Sequence, residues 1–298
     1  MPRVWTKLSN DRAEALRLWA QREGVREDDS TKLFSIVARR YVREILPTKG
    51  VRTRKDNEKE LVNLLKVFAH MPIDAIAPMH IRGYMDVRGV AAPVRANRKK
   101  ALFSHIFNKA REWGYTSVPN PCQGVKGFRE TGRSRYYITD DEFERVRMHA
   151  HFTVADAMDL ALLTGQRPAD VLKLKRSDIR DGALWVLQNK TGARLGIEVT
   201  GELAAVIARI NERERPLMSA YLIQDDKGKP LSQFALRSRF DKARELAKVS
   251  FQFRDIRAKA ATDTGDLAHS QKLLAHKNRD MTEHYVRARI GERVKPLR

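Results

Sequence analysis

The chain has 298 residues, of which 42% are hydrophobic, and this is long enough for two domains of ordinary size. Lysine and arginine total 58 against 37 acidic residues, which gives a formal net charge of +21. That excess is more than solubility requires and favours a polyanionic partner, most commonly nucleic acid.

The single cysteine, Cys122, excludes an internal disulfide framework and any multi-cysteine metal site. No stretch is apolar over the length needed to cross a membrane, and the N-terminus has no signal-peptide hydrophobic region. We therefore expect a soluble, cytoplasmic protein without a membrane partner.

The first half of the chain has the periodicity of helices. Residues 1–29 form a short, polar N-terminal segment, in which Leu16 and Trp19 are consistent with a short helix. From Leu33 to Ile45 apolar residues recur at three- and four-residue spacing, until Pro47 ends the helix. Further helices are predicted around 61–68, 81–87 and 102–110.

A linker rich in proline, glycine and basic residues follows at 117–135, and we place the domain boundary near Arg133. The predicted domains are thus a helical one over 30–130 and a second over 134–298. Thr139 and Glu142, at the start of the second domain, have capping-box spacing. The alternating, glycine-interrupted stretch 182–199 predicts a small antiparallel sheet. The remaining pattern predicts helices over 154–163, 203–210, 233–246, 255–264, 267–274 and 281–288, with another beginning at Pro168.

Four basic residues of the second domain are candidates for anion binding. Arg167 lies in the turn "TGQRP" before a helix start, where an anion is favoured. Arg254 and Arg257 are three residues apart on one helix face, and arginine forks match phosphate oxygens. Lys190 lies at a predicted hairpin tip. Taken singly, each has an ordinary alternative, namely a solvated turn residue or a surface ion pair.

These residues, followed by His276 and Tyr285, stand in an order that resembles the tyrosine recombinases, or phage-type integrases. The resemblance spans roughly residues 30–290. The stretches that carry it are "TGQRPADVLKL", "NKTGA", "FRDIRAKAATD" and "LLAHKNRDMTEHYVR". It implies a mainly helical fold with a small antiparallel sheet, divided into a helical core DNA-binding domain and a mixed catalytic domain.

The resemblance also implies a role for each residue. Arg167 and Arg257 resemble the two arginines that clamp the scissile phosphate. Lys190 resembles the hairpin lysine that protonates the leaving 5′-oxygen, and His276 resembles the histidine that hydrogen-bonds the phosphate. Tyr285 resembles the nucleophile, which attacks phosphorus, forms a 3′-phosphotyrosyl bond and releases a 5′-hydroxyl.

Elementary chemistry agrees with these roles. A free phenol has a pKa of about 10 and is a poor nucleophile unless cations stabilise the phenolate. Fixed guanidiniums can stabilise the charge that builds on the phosphate oxygens without a metal. His149 and His151 have no evident third ligand, and the chain has no Walker-type loop. We therefore expect no metal and no other cofactor.

Two positions depart from the family's usual pattern. Arg254 stands where histidine is most common, and arginine can donate a hydrogen bond but cannot accept a proton. A general base must then be His276 or water. Ala275 stands where a glycine is usual, and its methyl group needs slightly more space than the hydrogen of glycine.

The implied partner is double-stranded DNA, bound by a homotetramer on paired sites, with accessory DNA-bending proteins as further candidates. Arg95, Arg98, Lys99 and Lys100 could follow a DNA backbone from the helical domain, or could form a solvated basic face. Because the N-terminal segment spans only residues 1–29, we expect core-site recognition, or a minimal arm contact, in place of the separate arm-site domain of many phage integrases. Two alternatives stay open: a catalytically silent DNA-binding protein of the same fold, and a type IB-like topoisomerase.

Overall fold

A computed structural model describes residues 32–130, 136–214, 217 and 219–286. The predicted helix around Leu16 and Trp19 lies outside these residues. The chain divides into two compact units, with the division between Thr131 and Gly132.

The described part of the first unit contains four α-helices joined by short turns. They are α1 (Phe34–Glu44), α2 (Val51–Phe68), α3 (Pro78–Ala91) and α4 (Pro93–Glu112). Proline stands at the first position of α3 and of α4, where its missing N–H leaves no helical bond unmade. The helix predicted around 102–110 therefore begins nine residues earlier than its apolar spacing indicated.

The core of the first unit is built on aromatic side chains from three helices. Phe34 on α1 stacks on Phe103 of α4, with ring centroids 4.9 Å apart, and Phe68 of α2 packs against both rings. All three side chains are fully buried. Such ring pairs add packing energy beyond the apolar area that they bury, so they fix α1, α2 and α4 against one another.

A buried ion pair also joins α2 to α4. The Lys99 ammonium lies 3.1 Å from Glu60 Oε2, and the two side chains are 3% and 9% exposed. Arg95 adds a longer contact of 3.4 Å to the same carboxylate. A buried charge needs such a partner because water no longer solvates it.

The second unit combines eight α-helices with one small sheet among its described residues. The helices are α5 (Asp140–His149), α6 (Phe152–Thr164), α7 (Pro168–Val171), α8 (Gly201–Glu212), α9 (Gln233–Leu246), α10 (Ile256–Asp263), α11 (Leu267–Leu274) and α12 (Arg279–Glu283). Thr139 and Glu142 form the predicted capping box at the start of α5.

The sheet is antiparallel, with strands β1 (Ile179–Arg180), β2 (Ala183–Leu187) and β3 (Arg194–Glu198) in that order. In β2, Leu184 and Val186 are buried while Trp185 and Leu187 are exposed, so one face of the sheet joins the core. The register pairs Leu184 with Ile197 and Leu187 with Arg194. This hairpin places its turn, residues 188–193, at one end of the sheet.

The predicted fold class, mainly helical with a small antiparallel sheet, is confirmed. Three details differ from the sequence predictions. The helix after Pro168 has a single turn, and β1 lies outside the stretch in which strands were predicted. The predicted helix over 281–288 begins earlier and ends at Glu283, so that Tyr285 lies in the turn after it.

Cys122 is buried in the core of the first unit. Within the described ranges, no helix combines the length and the apolar character that a membrane span requires.

We expect Lys99→Ala to destabilise the first unit, because it leaves the Glu60 carboxylate buried with only the longer Arg95 contact. Loss of one partner of a buried pair typically costs about 3 kcal/mol or more. Denaturant unfolding of the whole protein checks this. Arg98→Ala, on the exposed face of the same helix, is the matched control. Equal unfolding midpoints for the two variants would contradict the structural role of Lys99.

Candidate active site

The guanidinium of Arg257 lies at the centre of the site, and this residue is only 2% exposed. From the first turn of α10, its Nη1 donates to the Gly165 carbonyl at 2.5 Å and its Nη2 to the Leu274 carbonyl at 2.8 Å. Burial, and next the charge of Arg167, lower the pKa of Arg257 to about 10. The side chain therefore remains a cation at neutral pH.

Gly165 allows the turn that holds Arg257. It ends α6 in the left-handed region, with φ +64°. A Cβ at this position would lie 3.0 Å from Leu274 Cδ2 and 3.2 Å from Leu273 Cγ. Glycine therefore meets two constraints here, the positive φ and the close approach of α11. The "TGQR" turn is thereby brought beside Arg257.

His276 contacts Arg257 directly and is 6% exposed. Its Nε2 lies 3.1 Å from Arg257 Nη2, and a guanidinium can only donate, so Nε2 accepts this bond. The proton of the neutral ring then lies on Nδ1, which donates to Thr282 Oγ at 3.1 Å. Burial, followed by the charges of Arg257 and Arg167, lowers the pKa of His276 to about 4. The imidazole is therefore neutral at physiological pH.

Tyr285 lies against both of these groups. Its ring centroid is 5.2 Å from that of His276 and 5.4 Å from Arg257 Cζ. Its backbone N–H donates to the Thr282 carbonyl at 2.8 Å, which fixes the turn after α12. The side chain is partly exposed. Thr282 thus holds His276 with its side chain and Tyr285 with its backbone.

Arg167 reaches the same region from the turn before α7. Its Nη1 donates to Gln188 Oε1 at 3.1 Å and lies 3.9 Å from Asp170 Oδ2, and its side chain is 20% exposed. Its positive charge lowers the pKa of both Arg257 and His276. The structure therefore brings together four of the six residues that the sequence indicated: Arg167, Arg257, His276 and Tyr285.

The other two, Lys190 and Arg254, are exposed. Lys190 lies in the turn between β2 and β3, and Arg254 in the 3₁₀ turn Phe253–Asp255 that leads into α10. Neither is joined to the group of four by a hydrogen bond or an ion pair between described residues. Arg254 is three residues from Arg257 in the chain. Lys190 is two residues from Gln188, whose side-chain oxygen accepts from Arg167.

Sequence reasoning missed two buried glutamines beside the arginines. Gln166 and Gln188 are each 1% exposed, and Gln188 Nε2 donates to Gln166 Oε1 at 2.9 Å. A signal for Gln188 was present: it continues the buried alternation of Leu184 and Val186, where a polar residue needs internal hydrogen-bond partners. Thr282 was missed as well, and only the folded geometry shows its contact with His276.

The four basic residues proposed to follow DNA on α4 differ in their surroundings. Arg95 and Arg98 are exposed. Lys99 is buried against Glu60, and the Lys100 ammonium donates to the Val125 carbonyl. Arg95 and Arg98 therefore present their charge outward, whereas Lys99 and Lys100 are engaged within the first unit.

The described residues include no group of three or more His, Cys, Asp or Glu side chains that could hold a metal ion. His151 instead accepts from the Thr153 N–H and caps the start of α6.

Comparison with known proteins places this geometry in a family. A sequence model described as the Phage integrase family matches residues 138–291, about half of the chain. The prophage integrase IntE of Escherichia coli K12 is 26% identical over 306 aligned positions, which cover 93% of this chain and 76% of the relative. The integrase of Enterobacteria phage 434 is 28% identical, with 88% of this chain and 77% of the relative covered.

Solved structures show the same fold. A lambda integrase tetramer bound to a Holliday junction superposes with a TM-score of 0.78 at 23% identity, over 97% of this chain and 92% of that one. A Tn1549 transposon integrase in complex with circular intermediate DNA gives 0.71 at 14% identity, over 86% and 96%. The predicted family is confirmed: this chain belongs to the phage integrase family and is a tyrosine-type site-specific recombinase.

Proposed function

We propose that the protein cuts and rejoins double-stranded DNA through a covalent bond between Tyr285 and a 3′-phosphate. One observation carries this proposal: the Tyr285 ring, the neutral His276 ring and the buried Arg257 guanidinium are in mutual contact. A phenol beside fixed cations, in a chain with a net charge of +21, suits nucleophilic attack on a polyanion.

In the proposed step, the Tyr285 oxygen forms a bond to phosphorus while the bond from phosphorus to the 5′-oxygen breaks. The phenol proton leaves to His276 or to water, and Lys190 gives a proton to the departing 5′-oxygen. Rejoining is the reverse, with a 5′-hydroxyl of the same or of another strand as the nucleophile. The phosphotyrosyl bond conserves the energy of the phosphodiester, so no nucleotide is consumed.

The proposed role of the arginines is to stabilise the negative charge that develops on the phosphate during the reaction. As the oxygen attacks, negative charge grows on the non-bridging phosphate oxygens, and Arg167 and Arg257 provide donors that are already in place. Arg254 adds a donor from the turn before α10. Removal of one such donor from a preorganised site typically lowers the rate by about 10²–10³-fold.

For DNA recognition, we propose that the unit up to about residue 130 is the core DNA-binding domain and that residues 134–298 are the catalytic domain. Arg95 and Arg98 are the candidates on α4 for contacts with the DNA backbone. A tetramer on paired DNA sites is the proposed active assembly, which agrees with the lambda integrase tetramer bound to a Holliday junction. Accessory DNA-bending proteins are candidate partners. We place this activity in the cytoplasm of a bacterial host, where the DNA lies.

The first test is Tyr285→Phe, which removes only the phenol oxygen. The duplex that wild-type protein selects from a random-sequence pool, nicked beside the cleavage position, serves as the substrate. We expect the wild type to form a covalent adduct that denaturing gels detect. The variant should form none while its duplex affinity changes little. An equal adduct yield from the two proteins would refute the assignment of the nucleophile.

Arg254 is tested by Arg254→Ala, Arg254→Lys and Arg254→His. If its side chain donates to the phosphate, Arg254→Ala should lose most of the single-turnover cleavage rate, while the other two variants keep much of it, because both retain a donor. The pH profile adds a control. A need for proton acceptance here would make Arg254→His faster than wild type, with a titration near pH 6.5. A fully active Arg254→Ala would remove this residue from the site.

His276 is tested by its titration. In the free protein its ring should titrate near pH 4, which NMR of the imidazole nuclei measures directly. Its unfolded pKa is about 6.5, so the unfolded chain takes up a proton that the folded chain excludes. The contribution to stability is therefore complete above pH 6.5 and falls as the pH drops from 6.5 to 4.

Arg257→Gln is the matched variant for this titration, because it removes the adjacent cation and keeps a polar side chain. It should raise the pKa of His276. A wild-type midpoint above pH 6 would show that the ring is not held neutral by burial and by its cationic neighbours.

A further inference from the structure

We propose that Gln188 is a positioning residue for strand cleavage, which holds Arg167 and the Lys190 turn in register with the pair Arg257 and His276. The inference rests on the proposed function and adds to it a residue that does not touch the substrate. It starts from the place of Gln188, which follows β2 directly, precedes Lys190 by two residues and is 1% exposed.

The Gln188 amide uses all of its hydrogen-bonding capacity. Its Oε1 accepts from Arg167 Nη1 at 3.1 Å and from Thr191 Oγ at 2.9 Å. Its Nε2 donates to Gln166 Oε1 at 2.9 Å and to the Leu274 carbonyl at 3.1 Å. An amide offers two lone pairs and two hydrogens, so these four contacts saturate it.

The chemistry of the partners fixes which way the amide points. Arg167 can only donate and the Leu274 carbonyl can only accept, so the oxygen must face the first and the nitrogen the second. A flipped amide would place its NH₂ group against the Arg167 donor and its oxygen against the Leu274 carbonyl. Glutamate at this position would set an oxygen against the Leu274 carbonyl, and methionine would bind none of the four partners.

The four partners belong to the elements that carry the proposed chemistry. Leu274, which lies two residues before His276, also accepts a hydrogen bond from Arg257 Nη2 with its carbonyl. Thr191 directly follows Lys190, and the Gly192 N–H donates to the Gln188 carbonyl at 2.9 Å, which closes the hairpin turn. One side chain thus connects the Arg167 turn, the Lys190 turn and the end of α11.

This connection predicts a defect in chemistry with little change in DNA affinity. Without the amide, Arg167 keeps its longer contact with Asp170 among the described residues. The Lys190 turn loses its contact through Thr191, while the Asn189 N–H still donates to Asp170 Oδ1 at 2.8 Å. Misplacement of a reacting group by about 1 Å can lower a rate by about 10²-fold. We therefore expect Gln188→Met, which keeps the length and apolar packing of the side chain, to reduce single-turnover cleavage about 10–100-fold.

A substrate with sulfur in place of the 5′-bridging oxygen distinguishes positioning from general loosening. A thiol has a pKa of about 8.5, far below that of an alcohol, so it leaves without a proton from Lys190. Lys190→Ala should be slow on the oxygen substrate and restored on the sulfur one. Gln188→Met should be partly restored, because the Lys190 part of its defect is bypassed while the Arg167 part persists.

Thr191→Val is the second variant. It removes one hydroxyl from an exposed residue and leaves the rest of the amide network intact. It should show a smaller defect than Gln188→Met and be restored by sulfur. It also keeps the inference testable if Gln188→Met fails to fold, which thermal unfolding reveals.

The outcomes separate this inference from the proposed function. If the wild type forms no adduct, both fall together. If the wild type reacts and Gln188→Met cleaves at the wild-type rate, the positioning role alone is refuted. A Gln188→Met or Thr191→Val defect of equal size on both substrates would refute action through the Lys190 turn, because a merely loosened structure would slow both reactions alike.

Discussion

The site depends on a guanidinium buried in the second unit. Arg257 has no carboxylate ion-paired with it among the described residues, and its Nε has no hydrogen-bond partner there. Two main-chain carbonyls and one imidazole accept hydrogen bonds from its Nη1 and Nη2 groups. Removing a cation from water without a counter-ion is unfavourable. In the proposed mechanism, an incoming phosphate would supply the missing negative charge. The free-energy cost of burying the Arg257 cation would then be offset when substrate binds.

Several local features of the fold follow from holding that cation. The carbonyls that accept from Arg257 belong to the ends of α6 and α11, and both helices end in the left-handed region, at Gly165 and Ala275. Ala275 has φ +51°, where a side chain costs roughly 1–2 kcal/mol. The usual glycine at this position is thus explained by the backbone angle rather than by lack of room. The turn at Ala275 in turn brings His276 back against Arg257.

Much of this was accessible from the sequence, for identifiable reasons. Apolar periodicity predicted most helices and the sheet, because burial of one face decides those elements. The candidate reactive residues were proposed from their type and order, and the structure brings four of these six side chains together. Lys99 shows the limit: a basic run on a helix indicated a DNA-binding surface, yet Lys99 is buried against Glu60, 39 positions earlier in the chain. Tyr285 was assigned to a helix that ends before it, at Glu283. Gln188 was missed because its partners Arg167 and Leu274 lie in distant segments of the chain.

The acceptors that hold the two central arginines explain how the site keeps its positive potential. Gly165 and Leu274 offer carbonyls to Arg257, and Gln188 offers an amide oxygen to Arg167. These acceptors are neutral, so they orient the guanidiniums without cancelling their charge. Among the described residues, Asp170, 3.9 Å from Arg167, is the one carboxylate within ion-pair distance of either arginine. A carboxylate at Gln188 would bind Arg167 more strongly and compete with phosphate for it. In the proposed mechanism, orientation by neutral groups leaves the charge of both arginines available for the scissile phosphate.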